Sequence, residues 1–299
     1  MMSENNIFFS IIIPNFNQAS HLKKALNGVI KQTYKNYEII IIDNNSTDKS
    51  RAVINSFNDV RIKSFYINNM GIISKSRNLG LAKASGEWIC FLDADDYWFK
   101  NKLEEIKTVI NKAKNIEVIC NGEVYLYENL KKFTKKLYKK KNKTLSMFSS
   151  LLLNGNQLST SATTVKKSFI KQNNIFFSED KKIYTSEDYD FWLRLAFSKA
   201  RFEFIDKYLG IYLIHKNSSS NTFMDHYNTN LYVALNHLDK SKYQNKLKKK
   251  LKEYLIFRHK LFLIVNTIKK RKFLIFLRMS YQIIAKFYLL NLFFKIKKK

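Results

Sequence analysis

The chain has 299 residues, 45% of them hydrophobic, which is enough to bury a full core and excludes a disordered chain. Its 53 Lys and Arg against 24 Asp and Glu give a formal charge of +29, a balance that serves nucleic acid, anionic lipid or solubility. Two cysteines, Cys90 and Cys120, lie in apolar segments without Cys-x-x-Cys spacing, so no zinc site or disulfide framework is indicated and a reducing compartment fits.

Met1 to Asn6 is polar, with no basic flank ahead of an apolar run, so no secretory signal is expected and the cytoplasm is the expected location. Ile7 to Ile13 reads as a buried strand that turns at Pro14-Asn15-Phe16-Asn17. Ser20 is expected to cap a helix whose inner face carries Leu22, Ala25, Leu26, Val29 and Ile30, and Tyr37 to Ile42 returns as a second buried strand. That βαβ unit ends at Asp43-Asn44-Asn45-Ser46-Thr47-Asp48, where Ser46 or Thr47 is expected to cap a helix reaching about Phe57. A third strand follows from Arg61 to Ile67, and Asn69-x-Gly71 turns the chain into a helix carrying Ser76-Arg77-Asn78-Leu79-Gly80. Alternating strands and helices predict an α/β fold with a mostly parallel sheet flanked by helices.

The stretch from Gly86 to Asp96 stands at the centre of this pattern. Trp88 to Leu92 is apolar throughout, as in a buried parallel strand, and it delivers Asp93, Asp95 and Asp96 at its carboxyl end. Three carboxylates so close repel and raise one another's pKa, so a cation is expected there. Hard oxygen ligands at such a strand end suit Mg²⁺ or Mn²⁺ bridging to phosphates. For an isolated Asp-x-Asp, a polar turn capping the next helix, from about Lys100 to Lys114, is the better account.

A strand near Ile116 to Cys120 comes next, then a run from Lys131 to Lys143 with eight lysines in thirteen positions, read as a solvated loop or exposed hairpin. A helix near Leu145 to Leu153 and an extended piece from Ser159 to Val165 lead to Thr185-Ser186-Glu187-Asp188-Tyr189-Asp190-Phe191-Trp192. Phe191, Trp192, Leu195 and Ala196 share a helical face, and carboxylates in the first turn suit the positive end of the helix dipole. Capping explains an acidic start, but not two adjacent acids followed by a third at Asp190. Phe202 to Ile205 and Leu209 to Ile214 read as two short strands ending at His215-Lys216-Asn217-Ser218.

From about Asp225 the pattern is helical and basic; residues 240–299 hold 19 Lys and Arg and one acid, Glu253. No apolar run there reaches the ~18 residues a membrane span needs. Apolar residues between Phe273 and Leu289 either enter an anionic membrane surface or pack against the rest of the chain or a second subunit.

Taken together in this order and spacing, Pro14-Asn15-Phe16-Asn17, Asp43 to Asp48, Ser76-Arg77-Asn78-x-Gly80, Asp93-Ala94-Asp95-Asp96 and Glu187-Asp188 resemble a bacterial family two glycosyltransferase over residues 7–220. The resemblance implies a GT-A type, Rossmann-like fold, a nucleotide-sugar donor, a divalent metal and inversion at the anomeric carbon. It implies that Pro14, Asn15 and Asn17 line the nucleotide pocket, with Asp43 and Asn44 near base and ribose and Arg77 near the diphosphate. Asp95 would bind Mn²⁺ or Mg²⁺, Asp93 would support the metal or touch the ribose, and His215 would be a further metal or diphosphate contact. Asp188 would be the general base, with Glu187 and Trp192 on the acceptor side. Asn44 stands where many members have a second aspartate, so UDP is the expected nucleotide on weaker grounds than the sugar chemistry.

The implied function is sugar transfer to a glycan or lipid-linked glycan acceptor in surface polysaccharide or lipooligosaccharide synthesis, by residues 1–224 (donor half about 1–120, acceptor half about 121–224). Residues 225–299 would hold the protein to the inner face of the cytoplasmic membrane. A catalytically silent relative acting as a binding module is the alternative. Nucleic-acid binding lacks any recognisable reading motif, and the acidic site would repel phosphates without a metal.

Overall fold

In the computed structural model, which describes residues 6–113, 115–141, 144–215 and 223–269, the apolar runs of the first hundred residues become four parallel strands. β1 (Phe9–Asn15), β2 (Tyr37–Asp43), β3 (Ile62–Tyr66) and β4 (Trp88–Phe91) lie in the order β3-β2-β1-β4. Ile11 of β1 pairs with Ile39 on one side and Cys90 on the other. Every residue of β1, β2 and β4 is buried, which is why they read as continuous apolar runs.

The connecting helices are α1 (Ala19–Ile30), α2 (Ser50–Asn55) and α3 (Ile73–Lys83). α1 buries Leu22, Ala25, Leu26 and Val29 as expected. α3 lies on β1 through Gly80, where a methyl group would collide with the Ile12 side chain, so the small residue of the Ser-Arg-Asn-x-Gly stretch is required by close approach. The expected caps are corrected. α1 starts ahead of Ser20, and Asp48 does the work of both caps: its Oδ2 accepts from Ala19 N at 2.9 Å and its Oδ1 from Ser50 N at 2.9 Å. A carboxylate reaching from a neighbouring loop outdoes a local hydroxyl because it satisfies two helix starts at once.

The remainder is β5 (Tyr97–Trp98), α4 (Lys102–Lys112), β6 (Val118–Tyr127), β7 (Lys132–Lys136), α5 (Met147–Asn154), β8 (Thr163–Lys166), α6 (Lys167–Gln172), α7 (Glu187–Phe197), β9 (Phe202–Ile214), α8 (Phe223–Lys240) and α9 (Asn245–Lys269). The sheet continues β4-β8-β6-β9-β5, with β7 on the outer part of β6, so a parallel block passes through antiparallel β8 into a mixed one. β8 is only four residues long and fully buried but for its last residue; Cys90 and Cys120 face its Thr164 and Thr163 from the two neighbouring strands. The two short strands expected after Phe202 are one strand, β9, whose register slips against β6 near Gly122. The expected strand near Ile116 likewise runs on to Tyr127, because the lysine-rich run folds back as β7 and pairs with its far half. β5 and α6 were not expected; each is too short to carry a periodic signal.

Two compact units divide the chain at Asn230, within α8. In the second, Val233, Ala234, Leu238, Leu251, Tyr254 and Leu255 are buried. No described helix is long and apolar enough to cross a membrane. The apolar residues from Phe273 to Leu289 and the Asn217-Ser218 pair lie outside the described residues.

Candidate active site

A cleft of about 430 Å³ opens at the carboxyl ends of β1 and β4. Pro14 stands on its wall, whereas its neighbours knit the loops beneath. Asn15 Nδ2 donates to Asp43 Oδ1 at 2.7 Å and to Ser46 Oγ at 3.2 Å, and Ser46 N and Oγ donate to Asp43 at 3.0 and 2.6 Å. Asn17, at φ 50°, accepts from Thr47 N at 2.8 Å, and Asn44 Oδ1 accepts from Asn69 N at 2.7 Å. Asp43 is wholly buried, so the structure presents Asn15, Asn17, Asp43 and Asn44 as the frame of the loop edge.

The three acids after β4 point three ways. Asp93 Oδ1 accepts from Arg77 Nη2 at 2.8 Å, and Asp95 Oδ2 accepts from His215 Nε2 at 3.0 Å. That contact is the chief cause holding the His215 imidazole above its ordinary pKa. Asp96 turns inward: Ser161 Oγ donates to it at 2.6 Å and Leu213 N at 2.8 Å, tying β9 to the acidic turn. Burial, and then the neighbouring carboxylates Asp95, Glu123 and Asp93, push the Asp96 carboxyl well up. Asp93 is also raised, by burial against the pull of Arg77 and with the push of Asp95. Beneath them Lys102, 1% exposed, donates to Asn121 Oδ1 and to the Ser161 carbonyl, and burial lowers its ammonium to about 8.

The acidic start of α7 faces the same cleft. Arg77 Nη1 donates to Glu187 Oε1 at 2.6 Å, so one guanidinium, 3% exposed, spans from Asp93 to Glu187. Arg77, expected beside a diphosphate, lines the cleft and braces Asp93 against Glu187 through its two terminal nitrogens. Asp188 Oδ2 accepts from Asn156 Nδ2 at 2.9 Å and Oδ1 from Tyr189 N at 2.6 Å. Burial first, then the Glu187 charge, push its carboxyl up to about 6, against the pull of His226 and Arg77. Asp190 turns away to Arg194 at 2.7 Å. Trp192, expected on the acceptor side, is wholly buried against Phe91 and Phe191.

The family model described as glycosyl transferase family 2 matches residues 10–177, more than half of the chain. The chain belongs to glycosyl transferase family 2. It is 31% identical over 192 residues to an uncharacterised glycosyltransferase of Rickettsia typhi, a match covering 62% of this chain and 57% of that one. It is 36% identical over 121 residues to the Escherichia coli UDP-Glc:alpha-D-GlcNAc-diphosphoundecaprenol beta-1,3-glucosyltransferase WfgD, covering 38% and 48%. The chain thus spans about half the length of these curated relatives. Its fold is similar to that of Staphylococcus aureus TarS 1-349 in complex with UDP-GlcNAc, with a TM-score of 0.66 at 21% identity over 83% of this chain and 72% of that one. The mixed α/β architecture is therefore the GT-A type.

Several cleft residues of this family 2 chain carry no sequence signal. Asn156 lies in a plain loop after α5, and His226 is one histidine on a helix. His226 Nδ1 donates to the Thr185 carbonyl at 2.6 Å, and Thr229 Oγ1 lies 2.6 Å from Ser186 Oγ, so the start of α8 clamps the entry to α7. Thr185 itself sits at φ 73°, a conformation a β-branched residue adopts only where its surroundings impose it. Lys136, Tyr125 and Tyr212 form another wall, and the lysine was hidden among seven others.

Proposed function

We propose that the protein is an inverting glycosyltransferase, moving a sugar from a nucleotide-sugar, with UDP the preferred carrier, to a hydroxyl of a glycan acceptor. The observation that carries the reading is Asp188 with its carboxyl raised to about 6, set in the same cleft as Asp93 and Asp95, beside a Glu187 that Arg77 bridges to Asp93. Such a pKa suits a base that is ionised at neutral pH yet still takes a proton. Asp188 Oδ2, steadied by Asn156, takes the acceptor hydroxyl proton as the sugar oxygen attacks the anomeric carbon. The bond to the diphosphate breaks on the opposite face, in one displacement without a covalent enzyme intermediate.

A divalent cation fits the acids. Asp93 and Asp95 have side chains about a quarter exposed, each with, among the described residues, one oxygen engaged and the other not, and they stand beside a third buried carboxyl. Among the described residues no three acidic, histidine or cysteine side chains could hold a metal unaided. Asp95 and Asp93 would hold Mn²⁺ or Mg²⁺ jointly with the donor phosphates, as suits an ion that binds through one or two carboxylates. When bound, it offsets the charge that develops on the departing diphosphate. Residues 1–120 form the donor half and 121–224 the acceptor half on this reading, with Pro14 and the loop framed by Asp43 and Asn44 receiving the nucleotide.

The acceptor is a surface glycan or its lipid-linked precursor, a reading supported by the acceptor in the name of the Escherichia coli relative. Lys246, Lys248, Lys249, Lys250, Lys252, Arg258 and Lys260 of α9 suit an anionic membrane surface, at roughly 1 kcal/mol for each in contact. The deciding experiment measures UDP release from UDP-sugars with and without Mn²⁺ and candidate acceptors. Metal-dependent release that acceptor stimulates supports the reading; nucleotide binding without turnover under every condition leaves a binding module in its place. Sedimentation with anionic vesicles tests the basic region, and a chain truncated near Asp239 that binds as tightly as the full one refutes its role.

A further inference from the structure

The β6–β7 hairpin brings one lysine of the basic run to the cleft. Lys136 Nζ donates to the Tyr125 hydroxyl at 3.1 Å and lies 5.2 Å from the centre of that ring and 4.7 Å from that of Tyr138. Both phenols are fixed. Tyr125 stacks on Tyr212 with ring centres 4.8 Å apart and planes 24° from parallel, and Tyr138, 3% exposed, donates to Glu123 at 2.7 Å.

Two aromatic faces and a phenol oxygen therefore hold the ammonium in place without neutralising it. Glu123, the carboxylate whose field reaches it, is buried and occupied by Tyr138, and among the described residues Lys136 forms no ion pair. Arg77, by contrast, is engaged at both ends by Asp93 and Glu187. The cleft thus has an acidic floor, a tyrosine wall and, on that wall, a cation with no carboxylate partner among the described residues.

A neutral sugar stacking on tyrosines gains nothing from a fixed positive charge, and desolvating that charge costs free energy unless an anion arrives. The donor diphosphate has its own place at Asp93 and Asp95, on the reading given above. We propose that Lys136, carried by the Tyr125–Tyr212 wall, is a subsite for a phosphate ester borne by the acceptor sugar. A compact ammonium with rotatable donors suits this role. The same ester chemistry occurs at the anomeric carbon of a lipid-linked sugar and as the diester linkage of a phosphate-bearing polymer. The proposal rests on the cleft being a nucleotide-sugar site.

The test uses the full chain saturated with UDP and Mn²⁺ and titrated, by ligand-observed NMR, with N-acetylglucosamine, its 1-phosphate and the methyl diester of that phosphate. The phosphates should bind about tenfold more tightly than the free sugar, the size of one charge-assisted hydrogen bond. Tighter binding of the monoester indicates an anomeric phosphate, and tighter binding of the diester a polymer linkage. Lys136→Met should erase the advantage, Lys136→Arg should keep most of it, and UDP–Mn²⁺ affinity should stay within about twofold. Because every residue of β7 is exposed, these variants should fold, as an unchanged melting temperature would show. UDP binding with no phosphate advantage, or an advantage that survives Lys136→Met, overturns this proposal alone. Equal loss of UDP–Mn²⁺ binding in Lys136→Met assigns the lysine to the donor and overturns it too. A chain that binds no UDP–Mn²⁺ overturns the donor reading and this proposal with it.

Discussion

Replacing Asp188 by Asn should make the protein more stable and nearly inactive, with a gain that depends on pH in a defined way. The carboxyl ionises at about 6 in the fold against 3.8 for an ordinary aspartate. Between those values the folded chain holds a proton that the unfolded chain has released, so stability falls as pH rises through the window. At pH 8 the shift costs the fold roughly 3 kcal/mol, and at pH 5 roughly half as much, at about 1.4 kcal/mol per pKa unit. Asparagine carries no charge, but turns an amide toward Asn156 and loses a hydrogen bond worth about 1 kcal/mol. The net gain in urea unfolding should be about 2 kcal/mol at pH 8 and under 1 kcal/mol at pH 5. Turnover should fall by about 10²–10⁴, the range for a positioned base. A variant no more stable than the wild type at pH 8, or one with the same gain at both pH values, would refute burial as the origin of the raised pKa. Near-normal turnover would remove Asp188 from catalysis.

Asp95→Ala should abolish the part of UDP affinity that depends on Mn²⁺ in calorimetry, and equal metal dependence in variant and wild type would sink the ligand assignment. Arg77→Met leaves Asp93 and Glu187 facing each other without a cation; it should cost about 3–5 kcal/mol in urea unfolding and move the acid limb of the rate profile to higher pH, because Arg77 lowers the Asp188 pKa. Asn156→Ala should also raise that limb above 6, slowing turnover several-fold at pH 6 while leaving it close to normal at pH 8; a uniform loss at both would make Asn156 a folding residue only.

The parallel block was legible because β1, β2 and β4 are buried on both faces, so their apolar runs stand out between the turns and helices of residues 7–92. The mixed half was not: β5 spans two residues, and β7 is a pairing partner whose lysines resemble a solvated loop. In the site, sequence identified the acids but not their orientation. Nothing in Asp-Ala-Asp-Asp tells that Asp95 faces the cleft while Asp96 anchors β9, since that depends on Leu213, 117 positions away. Arg77 shows the same limit. Its ion pair with Glu187 spans 110 positions, so no local pattern announces it. His226, Asn156 and Lys136 reach the cleft through tertiary folding alone, and each looks ordinary in its own segment.

Cys90 and Cys120 flank the short strand that joins the two halves of the sheet. Cys90 Sγ lies 3.3 Å from Thr164 Oγ1, and Thr163 Oγ1 donates to Cys120 Sγ at 3.5 Å. Both thiols are fully buried, and burial pushes them up to about 11 and 12. Alkylating reagents attack the thiolate, so the native chain is silent to them. The molecule therefore carries a built-in chemical clock: iodoacetamide incorporation at either cysteine times the parting of β8 from β4 or β6, with no label introduced.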